Sequence, residues 1–289
     1  MELAWKVEAG SKVKLRDYDP NYVDKHTDPT SARAELEVLC AELGELQELL
    51  AAAQYHSLLV VLQGMDTSGK DGTIRHVFAQ VNPQGCEVRS FKAPTNREQA
   101  HDFLWRIHRG TPGRGIITIF NRSHYEDVLV VRVHNLVPEK VWSRRYVAIN
   151  NFERLLAQNG MIILKFYLHI SNEEQEKRLL ARQKDKTKAW KLSAADWAER
   201  KYWGAYQEAY EDALSRCSTD EAPWYIVPAN KKWSRDLLVA RTLVDTLKQA
   251  VKLSCRTMIQ IMLMSIPIPH WQGQNWKYSA QNSVSYRSC

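Results

Sequence analysis

The sequence predicts an α/β fold in which a parallel sheet carries helices on both faces. Three observations predict this class. Short apolar runs alternate with amphipathic stretches along the chain, as in βαβ units. The apolar runs are continuous rather than alternating, which is typical of strands buried on both faces of a parallel sheet. One of these runs leads directly into a glycine-rich turn that opens a helix.

The elements can be placed in order from these patterns. From Leu36 to Leu50, leucines recur at steps of three and four and so share one face of the first helix. Five apolar runs are predicted to be strands, at residues 56–63, 86–91, 116–120, 161–170 and 224–228. The stretches predicted to be helical are 31–54, 70–80, 95–108, 138–159, 172–184, 193–218 and 234–253.

The two ends of the chain differ from this pattern. Residues 1–30 are polar, contain Pro20 and Pro29 as breakers, and are interpreted as an extended arm. Residues 254–289 contain no Asp or Glu and combine an apolar stretch with a Gln-, Asn- and Ser-rich end, so we expect a poorly ordered tail. The predicted organisation is therefore an arm, one large domain over residues 31–253, and a tail.

Composition limits the classes of function. A formal net charge of +7 favours a polyanionic partner, although a mildly basic soluble protein is the plain alternative. Five scattered cysteines without a C-x-x-C pair argue against a disulfide framework or a zinc site. The sequence shows no apolar leader and no uninterrupted apolar run of membrane-spanning length, so we expect a cytoplasmic protein.

The strongest motif is GMDTSGKDG at residues 64–72, which follows a predicted strand and opens a predicted helix. Glycines let backbone N–H groups curl around phosphate oxygens, and the helix N-terminus and Lys70 add positive charge. A glycine-rich turn without a ligand is the alternative. The residues expected to bind phosphate are Gly64, Gly69, Lys70, Asp71, Gly72 and Thr73.

Two carboxylates distinguish this loop from an ordinary phosphate-binding loop. Asp71 stands where Ser or Thr normally holds Mg²⁺, and Asp66 lies inside the loop. Because a carboxylate among phosphates is costly unless a cation bridges it, Asp66 is a candidate metal ligand or a group that orients the acceptor. The alternative is an aspartate that stabilises the loop by accepting bonds from backbone N–H groups.

Two further segments supply arginines. The stretch FNRSHYED follows a predicted strand, and ligands gather at the carboxyl ends of parallel strands, so Arg122 is expected to face the same phosphates. Arg178 and Arg182 lie four apart on a predicted helix that leads into the basic segment 184–191, so we expect a lid over the transferred phosphate. The alternatives are a salt-bridged structural arginine and a solvated charged face.

Together these motifs resemble the polyphosphate kinase 2 family over residues 14–253. The G-x-D-x-x-G-K-x-G loop of the family is met in full within residues 64–72. The stretch FNRSHYEDVLVVRVHNLVP is similar to the second motif of the family, except that Asn121 stands where the family has aspartate. Arg178 matches the lid arginine of the family best.

The resemblance implies a P-loop kinase-like fold with a helical lid over about residues 178–195. It implies reversible phosphoryl transfer from inorganic polyphosphate to nucleoside mono- and diphosphates, with Mg²⁺, in a homo-oligomer. The run His-Tyr-Glu that ends at Glu126 resembles the subclass that converts both AMP and ADP towards ATP, and guanine nucleotides are further candidate acceptors. The implied roles are catalysis by Asp66, Lys70, Arg122 and Arg178, metal binding by Asp66, phosphate binding by Arg182, and nucleotide binding by Asn121 and Glu126.

Two other functions compete with this interpretation. An ATP-dependent nucleoside monophosphate kinase would carry Ser or Thr after Lys70 and would not need Asp66. A nucleic-acid-binding P-loop protein would need a basic patch away from the loop and the lid, and the sequence contains no recognition motif for nucleic acid. Neither nucleic acid nor a membrane is therefore an expected partner.

Overall fold

A six-stranded sheet organises the described part of the chain. The computed structural model describes residues 4–25, 27–185 and 194–265, with only the backbone described at 194–195 and 251–265. The strands are β1 (Trp5–Lys6), β2 (Ser57–Gln63), β3 (Cys86–Ser90), β4 (Ile117–Asn121), β5 (Met161–His169) and β6 (Trp224–Pro228). Their order in the sheet is β1-β6-β5-β2-β4-β3.

The five strands from β2 to β6 are parallel, which confirms the predicted fold class. The central strand β2 pairs with β4 on one edge and β5 on the other, and it is buried along its whole length. Val60 of β2, for example, lies opposite Ile119 of β4 and Leu164 of β5. Burial on both faces of the sheet explains why these strands appear in the sequence as continuous apolar runs.

Helices connect the strands. The longer ones are α1 (Pro29–Ala53), α2 (Lys70–Val77), α6 (Glu139–Gln158), α7 (Asn172–Lys184), α9 (Trp203–Cys217) and α10 (Lys232–Ser265). The shorter ones are α3 (Asn96–Gln99), α4 (Trp105–His108), α5 (Val130–Val133) and α8 (Ala194–Glu199). The predicted helices at 172–184 and 138–159 are found within one residue of their expected bounds.

Some elements differ from the sequence prediction. The single helix expected over residues 95–108 is two short helices, α3 and α4. Between them the Asp102 carboxylate accepts a hydrogen bond from Leu104 N at 2.9 Å, a local turn that competes with helical bonding. The helix expected over 193–218 divides into α8, a 3₁₀ turn and α9, and α10 continues to Ser265 rather than ending at Leu253.

The N-terminal arm packs on the sheet. β1 pairs antiparallel with β6, so Trp5 lies opposite Ile226, and Val7 and Val13 are buried. A two-residue strand carries no clear periodicity, and the sequence therefore predicts only an arm. Helix α1 begins at Pro29, two residues before the predicted start, because the Asp28 side chain accepts hydrogen bonds from two backbone N–H groups of its first turn.

The chain divides into two units, residues 1–254 and 255–289. The first contains the sheet and every residue expected in the site. Of the second, only a helical backbone up to Ser265 is described, so the prediction of a poorly ordered tail falls mainly on residues outside the description. Among the described residues, no helix is both long enough and apolar enough to cross a membrane.

Candidate active site

The glycine-rich loop occupies the carboxyl end of β2 and the start of α2. Gly64 and Gly69 both have positive φ angles, 150° and 111°, which side-chain-bearing residues rarely adopt. A Cβ at Gly64 would also lie 2.7 Å from the carbonyl oxygen of Leu168. The loop therefore needs glycine at both positions, and it directs the N-terminus of α2 towards the edge of the sheet where the parallel strands end.

Lys70 folds back over the loop. Its Nζ donates hydrogen bonds to the carbonyl oxygens of Gly64 at 2.7 Å and Met65 at 3.3 Å, and the residue is only 9% exposed. Burial, followed by the like charge of Arg122, lowers the pKa of Lys70 from its ordinary value of 10.5 to about 8. An ammonium group in this position gains stability from an incoming anion, as expected of a lysine that holds phosphate.

Behind the loop lies a buried group that the sequence did not reveal. The guanidinium of Arg235 donates to Ser68 O at 3.3 Å and pairs with the neighbouring Asp236 at 2.6 Å. It fills the space next to Gly69 and Gly72, where an added Cβ would meet it. These glycines therefore serve packing against Arg235 as well as loop geometry.

Thr73 belongs to this inner side of the loop. Its hydroxyl is fully buried and donates to the carboxylate of Asp236 at 3.2 Å. Thr73 is not among the residues that line a cavity next to the loop. Thr73 is predicted to bind phosphate, but its side chain lies in the protein interior instead.

The FNRSHYED segment lies beside the glycine-rich loop, because it begins at the end of β4 and the loop follows the neighbouring strand β2. Arg122 Nη2 donates to Asp66 Oδ1 at 2.8 Å, and Asn121 Nδ2 donates to Asp71 Oδ1 at 2.7 Å. Arg122 has a φ of 64°, a left-handed conformation that is uncommon for a residue with a side chain. Such strained positions are typical of functional sites, and this one directs the guanidinium towards the loop.

Arg178 takes a different place from the one expected. Its Nη1 donates to the carbonyls of Thr67 and Ser68, and its Nη2 donates to the carbonyls of Ala229 and Asn230. Its Nε donates to the Glu174 carboxylate at 2.8 Å. The guanidinium thus uses its donors on backbone carbonyls of the loop and of the residues that follow β6. It lines neither of the two cavities beside the loop.

Arg182, one turn further along α7, does line a cavity. This loop cavity has a volume of about 500 Å³ and is formed by the glycine-rich loop, residues 90–93 at the end of β3, Asn121, Arg122 and Arg182. Four cationic side chains, from Lys70, Lys92, Arg122 and Arg182, face two carboxylates in its wall. The rest of the expected lid, residues 186–193, lies outside the described part of the chain.

A second cavity lies on the other side of Asp66 and Arg122. This aromatic cavity, of about 240 Å³, is walled by Tyr206 and Tyr210 of α9 together with Glu126, His134 and Glu199, among others. Asp66 and Arg122 line both cavities and so form the wall that the two share.

Hydrogen bonds fix the polar side of the aromatic cavity. The Glu199 carboxylate lies 3.1 Å from His134 Nε2 and accepts a hydrogen bond from the Tyr206 hydroxyl at 3.1 Å. Burial raises the pKa of Glu126, and Arg122 and Lys70 oppose this shift. The sequence patterns predicted Glu126 as a site residue but did not point to Tyr206 and Tyr210. Their spacing of four residues, which places both on one face of α9, was the available signal.

The candidate metal ligands are few. Across the residues that were described, no group of three or more His, Cys, Asp and Glu could hold a metal ion by itself. Asp66 and Asp71 both line the loop cavity. Mg²⁺ that is bound through one or two carboxylates takes its remaining ligands from phosphate oxygens and water, and this donor set fits such an ion.

Comparisons with known proteins agree with this geometry. The family model of Polyphosphate kinase 2 (PPK2) matches residues 26–254. The AMP/ADP-polyphosphate phosphotransferase of Meiothermus ruber is 51% identical, over 84% of this chain and 92% of its own length. The ADP-polyphosphate phosphotransferase of Rhodopseudomonas palustris is 44% identical, over 86% and 90%. The crystal structure of polyphosphate kinase 2 from Arthrobacter aurescens TC1 matches with a TM-score of 0.82 at 43% identity, over 86% and 91%. The chain therefore belongs to the polyphosphate kinase 2 family.

Proposed function

We propose that this protein catalyses reversible, Mg²⁺-dependent phosphoryl transfer from inorganic polyphosphate to AMP and ADP. The observation that carries the proposal is the Asp66–Arg122 pair, which forms the wall between a cationic cavity and an aromatic one. Transfer between two substrates requires their reacting phosphates to meet, and a wall shared by two cavities is where they would do so. The names of the similar phosphotransferases support the same reaction.

The donor would occupy the loop cavity. Inorganic polyphosphate is a linear polyanion, and this cavity presents Lys70, Lys92, Arg122 and Arg182. Backbone N–H groups at the start of α2 add their dipole to this charge. The segment that continues from Arg182 is basic in sequence, which suits the rest of a long anionic chain.

The acceptor nucleotide would occupy the aromatic cavity. Tyr206 and Tyr210 offer ring surface for a nucleobase, and Glu126 and Glu199 offer acceptors for amino or hydroxyl donors. These two carboxylates together with Asp66 would repel a second polyanion, so the cavity suits the nucleoside end of the acceptor better than polyphosphate. Guanine nucleotides are further candidate acceptors, because guanine is also a planar base that carries an amino group.

The roles follow from position. Lys70 and the loop amides would hold donor phosphates, and Arg122 would stabilise charge on the phosphoryl group as it moves. Asp66 would orient Arg122 and contribute a carboxylate to Mg²⁺, which when bound neutralises charge on the phosphates. Arg182 would contact the donor, and Arg178 would keep the loop in shape.

Two broader properties belong to the same proposal. Cys40, Cys86 and Cys217 are free thiols in the described part of the chain, which fits a reducing cytoplasm. Exposed apolar side chains on one helix, Val141, Val147 and Leu155 of α6, offer surface for a homo-oligomer.

The direct test is a donor-by-acceptor assay. Purified protein is incubated with Mg²⁺ and either polyphosphate or ATP as the only donor, and with AMP, ADP, GMP or GDP as acceptor, and the products are separated. We expect AMP to be converted through ADP to ATP with polyphosphate. Turnover with ATP but not with polyphosphate would contradict the proposal and favour the nucleoside monophosphate kinase. Activity on ADP alone would contradict only the use of AMP.

Arg178 and Arg182 are expected to respond differently to substitution. Arg178→Met removes the donors to four backbone carbonyls, so we expect the melting temperature to fall by about 5–10 °C. Arg182→Met, on the same helix, removes a charge from the loop cavity and should instead raise the KM for polyphosphate and flatten its salt dependence. Thermal unfolding and KM at several salt concentrations measure both effects. An Arg178→Met protein as stable as the wild type would contradict the structural role.

A further inference from the structure

Four side chains form a buried cluster beneath the site, which we call the buried quartet: His124, Tyr125, Glu153 and Lys165. Each is 0% exposed. Glu153 lies on α6 and Lys165 on β5, whereas His124 and Tyr125 lie on the 3₁₀ turn that follows β4. The quartet therefore ties three separate elements together beneath that turn.

Hydrogen bonds converge on the Glu153 carboxylate. Its Oε1 lies 3.0 Å from His124 Nε2 and accepts from the Tyr125 hydroxyl at 2.9 Å, and its Oε2 accepts from Lys165 Nζ at 2.5 Å. Lys165 uses its other two protons on the Tyr125 hydroxyl at 2.8 Å and on Cys217 O at 2.6 Å. The acid has donors on both oxygens, and all three protons of the ammonium are used.

Glu153 and Lys165 form a buried ion pair within the quartet. Burial alone would raise the pKa of Glu153, but Lys165 and His124 outweigh it, and the pKa lies below its ordinary value. A buried ion pair is a poor source of net stability, since apolar residues of similar size often stabilise a fold as well or better. We therefore consider how the buried ion pair and its hydrogen bonds position the neighbouring residues.

That geometry concerns the residues on either side of the tethered pair. His124 and Tyr125 are flanked in the chain by Arg122 and Ser123 on one side and by Glu126 on the other. Ser123 is also anchored, because its Oγ accepts from Gln63 Nε2 at 3.1 Å. Arg122, by contrast, has a left-handed backbone conformation that the local sequence alone would not favour.

We propose that the buried quartet is a positioning unit, in which the Glu153 carboxylate holds His124 and Tyr125 so that Arg122 and Glu126 keep their places in the shared wall. This proposal rests on the proposed function for its kinetic consequence. The two tethers hold the first two residues of the turn, and the groups that would contact the substrates, Arg122 and Glu126, stand on either side of them in the chain. None of the four members would touch a substrate.

The test compares two double variants that both remove the buried charges. E153L/K165M also removes the acceptor for His124 and Tyr125, whereas E153Q/K165M keeps an amide oxygen in its place. We expect kcat to fall about 10²-fold in the first, with KM changed less than about threefold, because small misplacements of reacting groups are costly. The kcat of E153Q/K165M should be at least about tenfold higher than that of E153L/K165M. Leu156→Ala, also buried on α6 but outside the quartet, controls for destabilisation.

A second readout needs no substrate. Amide hydrogen exchange of peptides covering residues 121–129 should be faster in E153L/K165M than in E153Q/K165M or Leu156→Ala, with little change elsewhere in the sheet. If E153L/K165M does not fold, Tyr125→Phe removes one tether and should lower kcat about tenfold. Equal kcat in the two double variants, exchange that does not differ at 121–129, or an unchanged kcat in Tyr125→Phe would each overturn the proposal. Because exchange is measured without polyphosphate, an inactive wild type would count against the proposed function alone.

Discussion

Lys70→Ala is expected to lower kcat by about 10²–10³-fold while the protein remains folded. In the folded protein Nζ lies against the carbonyls of Gly64 and Met65, at the position where donor phosphates would enter. Alanine removes this positive charge and leaves the amides of the loop in place. Initial rates with saturating polyphosphate and ADP measure the effect, and Lys140→Ala, an exposed lysine on α6, is the control.

The stability of the Lys70→Ala protein follows from the direction of the pKa shift. The folded-state pKa of about 8 lies below the ordinary 10.5, so folding disfavours the charged form of Lys70. This penalty is fully present below about pH 8 and disappears as the pH rises through 10.5. Removing the lysine relieves the penalty but loses two hydrogen bonds to carbonyls, so we expect only a small change in melting temperature at pH 7. Near-normal turnover would contradict the assignment of the loop.

Asp66→Asn should lower kcat by a similar factor, about 10²–10³. The amide keeps an oxygen for the bond from Arg122 and nearly the same shape, so the substitution removes the negative charge and little else. That charge would both orient Arg122 and bind Mg²⁺, and its loss should also raise the Mg²⁺ concentration needed for half-maximal rate by about tenfold or more. The measurement is kcat across an Mg²⁺ titration.

Asp220→Asn is the matched control for Asp66→Asn. Asp220 is exposed in the loop before β6, at the end of the sheet opposite the site, and its substitution should leave both kcat and the Mg²⁺ requirement unchanged. A kcat for Asp66→Asn within about fivefold of the wild type would return Asp66 to the role of an aspartate that only stabilises the loop.

Much of the fold was predictable because its signals are local. Strands buried on both faces, such as β2 and β5, appear as apolar runs, and the loop at 64–72 combines glycines, a lysine and a flanking strand and helix. The contact between the loop and the second motif was also predictable, since both follow parallel strands and ligands gather at that edge of a sheet.

What the sequence did not reveal depends on contacts between distant residues. Arg178 and Arg182 look alike on a helical face, and only the backbone carbonyls around Arg178 separate its role from that of its neighbour. Thr73 fits the phosphate-binding pattern of its loop, but it lies against Asp236, 163 residues further along the chain. No spacing within a motif reports such a partner, so side-chain orientation was the part that sequence patterns could not determine.

Because Asp66 and Arg122 separate two cavities, a donor and an acceptor need not take turns in one pocket. With the donor and the acceptor placed as proposed, both would be bound at once, and the phosphoryl group would pass directly between them. A nucleotide would then leave the aromatic cavity while the polymer stayed in place, so that one polyphosphate chain would be shortened repeatedly during a single residence on the enzyme. With the substrates placed as proposed, the arrangement of the wall would favour processive use of the donor over release after each transfer.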